Sequence, residues 1–237
     1  MEFIDVSYRY KGEPDDALLG FSLSVLPGRA TALLGPNGSG KSTALGIGSG
    51  WLHPATGRIE RGGSVAFLPQ AERLAFSFSC LEYVSFGRAP HLPYLAVPSG
   101  SDEEKARAAL REVGMGTKMD RRITALSGGE LQLVRIARAL AQEAAYVLLD
   151  EPSDMLDPAH AASIGDAIRR LTASGVGVLF STHDLALALA CADEAALMRS
   201  GRLVASGPTA EALDCEVLGE LYGTPFGLTS LPTPLHR

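Results

Sequence analysis

The sequence predicts an α/β fold, with a mainly parallel sheet, an antiparallel β part at the N-terminus and an inserted helical part. Three observations carry this. In the second half, apolar runs such as "YVLLD" and "VGVLFST" alternate with amphipathic stretches, the pattern of parallel strands covered by helices on both faces. The first seventy residues are instead short β-rich runs separated by turn residues. From Gln70 to about residue 128 the spacing becomes helical. We therefore expect one domain over 1–237, with a β-rich part at 1–70, a helical insertion at 71–128, and the rest of the α/β core and tail at 129–237.

In order, "MEFIDVSYRY", "GFSLSVL" and "RATALLG" read as strands broken by "KGEPDD" and "PG". "GPNGSGKST", residues 35–43, then joins a buried strand to the helix-compatible "KSTALGIGSG". Its glycines let backbone amides converge on one point, and the following helix aims its positive dipole end there. The spacing from Gly35 is that of a phosphate-binding P-loop, so the core is expected to be that of a P-loop NTPase. Gly35, Pro36, Asn37, Gly38, Ser39, Gly40, Lys41, Ser42 and Thr43 are the candidate ATP-binding residues. Lys41 would reach the β- and γ-phosphates and Ser42 would ligate Mg2+. "GRIE" and "SVAFLP" follow as strands. Within the insertion, "SCLEYVSFGR" and "SDEEKARAALREVGM" suit helices, the second with Ser101 as N-cap and Ala106, Ala109, Leu110 and Val113 as its apolar stripe. "APHLPYLAVPSG" between them reads as an exposed proline-rich loop. Beyond "GELQLVRIARALAQEA" the alternation runs through "YVLLD", "PAHAASIGDAIRRLTASG", "VGVLFST", "HDLALALACA", "EAALMRS" and "RLVASG", and the tail "GTPFGLTSLPTPLHR" reads as irregular.

Composition narrows the options. A chain of 237 residues, 46% hydrophobic and 20% charged, can bury a sizeable core. No apolar run is long enough to span a membrane, and the N-terminus reads as a strand rather than an export signal. A net charge of -6 disfavours nucleic acid as a partner. Cys80, Cys191 and Cys215 are far apart, which fits free thiols in a reducing compartment.

"YVLLDEP" ends an apolar strand with two adjacent carboxylates at the sheet edge where ligands bind. Because strand side chains alternate, the pair is not expected to face one ligand from an ideal strand, and the roles divide: Asp150 holds Mg2+ and Glu151 polarises the attacking water. In "LSGGE", Leu126 to Glu130, Ser127 sits at the N-cap of a long helix, and Gly128 and Gly129 leave its first amides bare, making a second anion site. The P-loop, Gln70 after "AFLP", "LSGGE", "LLDEP" and "STHD" stand together in an order and spacing that resembles the nucleotide-binding subunit of ATP-binding cassette (ABC) proteins, over nearly the whole chain.

The resemblance implies further roles. Gln70 would touch the metal or water and link the core to the insertion. His183 would contact the γ-phosphate and orient Glu151. Tyr10 would stack on adenine, with Tyr8 as the alternative, and Asp157 would end a segment at a dimer interface, where Asp154 and Met155 depart from the usual small residues. Two chains, as a homodimer or paired with another ABC subunit, would pack head to tail so that Ser127 to Glu130 of one closes over ATP held by the other. Without fused membrane helices or a second cassette, the chain resembles the separate ATPase subunit of a bacterial importer. It would lie peripherally on the cytoplasmic face of the inner membrane, with integral membrane permease subunits docked on the insertion and an external substrate-binding protein in the complex. "SFGRAPHLP", carrying Arg88, Pro90 and His91, resembles a stretch in importers of iron chelates, haem, cobalamin and related metal complexes. Arg88 and His91, beside Phe86, Tyr94 and Leu95, are expected on the docking surface. A cytosolic, non-transport ABC ATPase, a subunit for another cargo or for export, and a P-loop kinase are the competing classes.

Overall fold

The structure is a computed structural model that describes residues 1–72, 76–93, 96–154 and 156–227. Two sheets form. The strands β1 (Glu2–Tyr8), β2 (Leu18–Ser24) and β4 (Thr56–Glu60) make an antiparallel sheet in the order β2-β1-β4. The larger sheet contains β3 (Ala30–Leu34), β5 (Val65–Leu68), β6 (Tyr146–Leu149), β7 (Gly177–Ser181), β8 (Glu194–Arg199) and β9 (Arg202–Pro208). Its order is β5-β6-β7-β3-β8-β9, parallel throughout except for the antiparallel edge pair β8–β9.

Strand alternation divides the core. Ala30, Ala32 and Leu34 of β3, Val147 and Leu149 of β6, and Val178 and Phe180 of β7 point into one apolar cluster. Leu33, Tyr146, Leu148 and Leu179 point into the other, shared with Phe3 and Phe21 of the antiparallel sheet and with α1 (Lys41–Ser49). Burying one such Leu, Val or Phe contributes about 1.5–3 kcal/mol, so these strands are fixed by having both faces covered rather than by turn chemistry. Beyond α1, Trp51 lies 69% exposed with its ring edge-on to Phe67, centroids 5.1 Å apart.

The helical part comprises α2 (Cys80–Ser85), a 3₁₀ segment at Phe86–His91, α3 (Gly100–Glu112) and α4 (Gly128–Ala141), which returns to the main sheet. The expected stripe of Ala106, Ala109, Leu110 and Val113 is buried. Two expectations need correction here. Ser99, not Ser101, precedes α3: its amide and hydroxyl both donate to the Asp102 carboxylate, at 3.0 and 2.6 Å, which the acid three residues on is placed to accept. Arg88 is not exposed: it is buried, donating through Nε to Asp102 Oδ1 at 3.2 Å and through Nη1 to the Ala141 carbonyl at 2.6 Å and Glu143 at 2.8 Å. A guanidinium meets the bare carbonyl end of α4 and two acids there, so Arg88 is a folding element, while Phe86 and Ala89 to His91 around it stay exposed. His91 is exposed as expected, with its Nε2 2.8 Å from the Gln142 carbonyl. Tyr94, Leu95 and Met155 lie outside the described residues, as does the tail beyond Gly227.

Then come α5 (Pro158–Ala173), α6 (Leu185–Cys191), and two helices the sequence reading passed over, α7 (Thr209–Ala212) and α8 (Cys215–Tyr222). Asp214 caps α8 through the Glu216 amide, and Gly223 ends it at φ +70°.

Candidate functional site

The carboxyl ends of β3, β6 and β7 border a cleft of about 740 Å3, whose walls include Gly35 to Thr43, Gln70, Glu151 and His183. Gly40 precedes α1 at φ +103°, a left-handed conformation that turns the chain into the helix, and a Cβ there would strike the Ala17 carbonyl. The opening amides of α1 have no acceptor within the helix and border the cleft. Lys41, the first helical residue, is buried and folds back to donate to the carbonyls of Gly35 at 2.8 Å and Pro36 at 3.2 Å. Burial pulls its pKa down, while the negative charges of Glu151 and Asp150 push it back up. Ser39 Oγ in the same loop is buried without a hydrogen-bond partner among the described residues. Bare amides, an orphaned hydroxyl and a buried cation make a cradle for a phosphate chain.

Opposite the loop, Asp150 follows β6 and is buried. Its Oδ1 accepts from Ser42 Oγ at 3.1 Å and from Ser181 Oγ at 2.6 Å. The adjoining Glu151 takes φ +46°, an uncommon left-handed conformation for a non-glycine residue, and its amide donates to Ser181 Oγ at 2.8 Å. That twist overturns the expectation from ideal alternation, because both carboxylates now face the loop. Glu151 Oε1 lies 4.0 Å from Lys41 Nζ, and Oε2 lies 2.9 Å from His183 Nδ1.

The Ser42 and Asp150 oxygens suit a hard cation such as Mg2+. Among the described residues no group of three or more His, Cys, Asp and Glu side chains is placed to hold a metal. Two protein oxygens with phosphate and water completing the shell is how Mg2+ is ordinarily held. Gln70, a candidate metal contact, instead donates its amide to Asp154 at 3.2 Å, on the same cleft wall. Tyr10 lies just past β1 rather than on it. It is 42% exposed, borders the cleft and has its hydroxyl 3.2 Å from Thr43 Oγ1. Tyr8 packs edge-on against it, with centroids 5.0 Å apart, and against the core.

Leu126 to Glu130 do not border this cleft within the chain. Ser127 is the N-cap of α4, its hydroxyl accepting from the Glu130 amide at 3.3 Å while Glu130 accepts from the Ser127 amide at 3.0 Å. Glu130 is also paired with Lys118. The His160 ring, its Nδ1 2.7 Å from Asp157, packs against Gly129 where a Cβ would otherwise project. Asp157 caps α5 through the amides of Ala159 and His160.

Three cleft residues escaped the sequence reading. Ser181, two positions before His183, donates to the Asp150 carboxylate and accepts from the Glu151 amide, and its place in "STHD" was the available signal. Asp154 meets Gln70, and Tyr222, at the end of α8, also borders the cleft.

A phosphate cradle at the carboxyl edge of a parallel sheet, facing a serine-bound carboxylate and a second acid beside a histidine, defines a nucleoside-triphosphate-binding P-loop protein. The particular family follows from comparison. Residues 18–154 match the ABC transporter family, and the chain belongs to it. It is 40% identical to the hemin import ATP-binding protein HmuV of Burkholderia thailandensis, over 85% of this chain and 86% of that one. It is 36% identical to the manganese transport system ATP-binding protein MntA of Synechocystis, over 87% and 84%. The structure also superposes on an inward-facing metal-chelate type ABC transporter with a TM-score of 0.87, 32% identity and coverage of 94% and 89%. A dimeric bacterial ABC transporter cassette, MJ0796, matches with a TM-score of 0.77, 25% identity and coverage of 88% and 98%. The chain is thus an ATPase subunit of an ABC importer. No helix among its described residues is long and apolar enough to cross a membrane.

Proposed function

We propose that this chain hydrolyses Mg-ATP to drive uptake of haem or a related metal chelate through a membrane permease. The observation that carries the hydrolytic part is Glu151, turned into the cleft beside Lys41 and held by His183. In this reading the loop from Gly35 to Thr43 binds the phosphates, with Lys41 leaving its two carbonyls to meet them, and Tyr10 stacks on adenine. Ser42 and Asp150, with Gln70 beside them, would hold Mg2+, which would supply positive charge against that of the phosphates. Glu151 accepts a proton from the attacking water while His183 fixes its carboxylate. We read 1–70, 71–128 and 129–237 as parts of one domain.

Ser127 to Glu130 then serve a second copy or a paired ABC subunit, closing over ATP bound there. The dimeric cassette supports this, as does the distance of the segment from the chain's own cleft. The permease is assigned to a groove of about 620 Å3 on the helical part, lined mainly by apolar side chains including Phe78, Leu81, Phe86 and Leu92. Phe86 and Val97 on its rim are 48% and 84% exposed, a concentration of apolar surface suited to a short partner helix. The subunit sits peripherally at the cytoplasmic face, and a substrate-binding protein serves the opposite side. The name of the Burkholderia relative and the metal-chelate structure favour haem or a chelate as cargo, and the manganese relative supplies the competing cargo.

Glu151→Gln should bind ATP yet hydrolyse it about 10²- to 10⁴-fold more slowly, the usual loss on removing a positioned base. Steady-state rates within a few-fold of the parent would overturn the assignment. Vesicles containing the subunit and its co-purifying permease should take up haemin and not free Mn2+. The reverse preference would overturn the cargo.

A further inference from the structure

We propose that Tyr222 is a positioning residue for Glu151, its hydroxyl taking up the carboxylate when Lys41 turns to bound phosphate, so that helix α8 belongs to the hydrolytic machinery. This rests on the reading of Glu151 as the base.

Tyr222 ends α8 with its ring packed on the main core and tilted against Phe226, centroids 5.7 Å apart. Its hydroxyl is buried and has no hydrogen-bond partner among the described residues. A donor left unmade in a protein interior is costly, and one on the wall of an active-site cleft calls for a functional reason. Tyr222 borders the same cleft as Gly35, Lys41, Glu151 and His183. Burial raises the pKa of its phenol, the negative charge of Glu151 raises it further, and the Gly35 backbone acts the other way. The hydroxyl therefore stands within the influence of the carboxylate and of the first residue of the phosphate loop.

Counting donors shows what changes when nucleotide arrives. Lys41 Nζ is now committed to the Gly35 and Pro36 carbonyls and stands 4.0 Å from Glu151 Oε1. Drawn to phosphate, it leaves that oxygen without its cation. The other donors on that wall are already engaged: His183 with Oε2, Ser181 with Asp150, and Gln70 with Asp154. Two hydroxyls bordering the cleft have no partner among the described residues, Ser39 and Tyr222; Ser39 belongs to the phosphate loop, which leaves the Tyr222 O–H for the carboxylate. As a neutral donor it can hold the carboxylate while leaving it ionised and able to accept a proton.

The test is Tyr222→Phe, which keeps the ring and removes only the hydroxyl. The kcat should fall about tenfold, the scale of a lost hydrogen bond to a charged group, with KM for ATP within twofold of the parent. Thermal unfolding of the free variant should show a midpoint close to the parent's, since the hydroxyl donates no bond there. In single-turnover hydrolysis, Glu151→Gln and Glu151→Gln with Tyr222→Phe should agree within twofold, because the hydroxyl acts only through that carboxylate. An unchanged kcat, a change confined to KM, or an equal loss in both backgrounds would overturn the proposal. A parent protein without ATPase activity would instead strike at the proposed function.

Discussion

Gly129 shows how one hydrogen atom can be specified by a neighbour far off in sequence. The sequence reading took the Gly128–Gly129 pair as a way to leave helix amides bare, but the structure adds a second reason, the His160 ring lying where a Cβ would project. Gly129→Ala should therefore cost about 1–3 kcal/mol through overpacking, measured as a lowered urea midpoint. In a His160→Ala background the same change should cost close to nothing, whereas an equal loss in both would mean that the ring is not the obstacle. At this scale, what could be read from the sequence depended on chemistry that is local in the chain. Lys41 and Ser42 followed from a contiguous glycine-rich stretch, and the Ser127 cap followed from its place directly before Gly128, Gly129 and a long helical stretch. The left-handed twist at Glu151 was hidden, because it depends on the Ser181 hydroxyl meeting its amide from another strand.

Among the elements, the 3₁₀ segment and α3 are joined by one acid. Asp102 is held at about 2, first by the Ser99 hydroxyl and amide and then by the buried Arg88 guanidinium. Its folded pKa lies below the unfolded value near 3.9, so its contribution to stability is complete above that value and is lost as the pH falls towards 2. Urea midpoints measured at pH 5 and pH 3 should thus fall further for the parent than for Asp102→Asn. Parallel falls would remove this acid from the pH dependence. Amphipathic helices and doubly buried strands were legible because periodicity records which face is covered. Arg88 was misread because proline and glycine around it signal exposure, and only the end of α4 supplies the acceptors that bury it. Helix α8 was legible and overlooked: eight residues between Asp214 and Gly223 carry an N-cap and a C-cap at the expected places.

For the molecule as a whole, the phosphate cradle and the Ser127 segment lie apart, and the proposed head-to-tail pairing would bring them together. Glu151→Gln with Mg-ATP should therefore form dimers by light scattering, and adding Ser127→Arg should abolish them by crowding the nucleotide across the interface. Persistent nucleotide-dependent dimers in that double variant would refute a shared site. That second surface was legible only through the resemblance to ABC proteins, since spacing along a sequence carries no distance between copies. The edge-on pair of Trp51 and Phe67 bears on a different property of the molecule. The chain has one tryptophan, set just past the helix whose first turn opens on the phosphate cleft. Indole emission from this protein is therefore the signal of one water-facing chromophore, a built-in optical gauge at the far end of that helix that needs no attached dye.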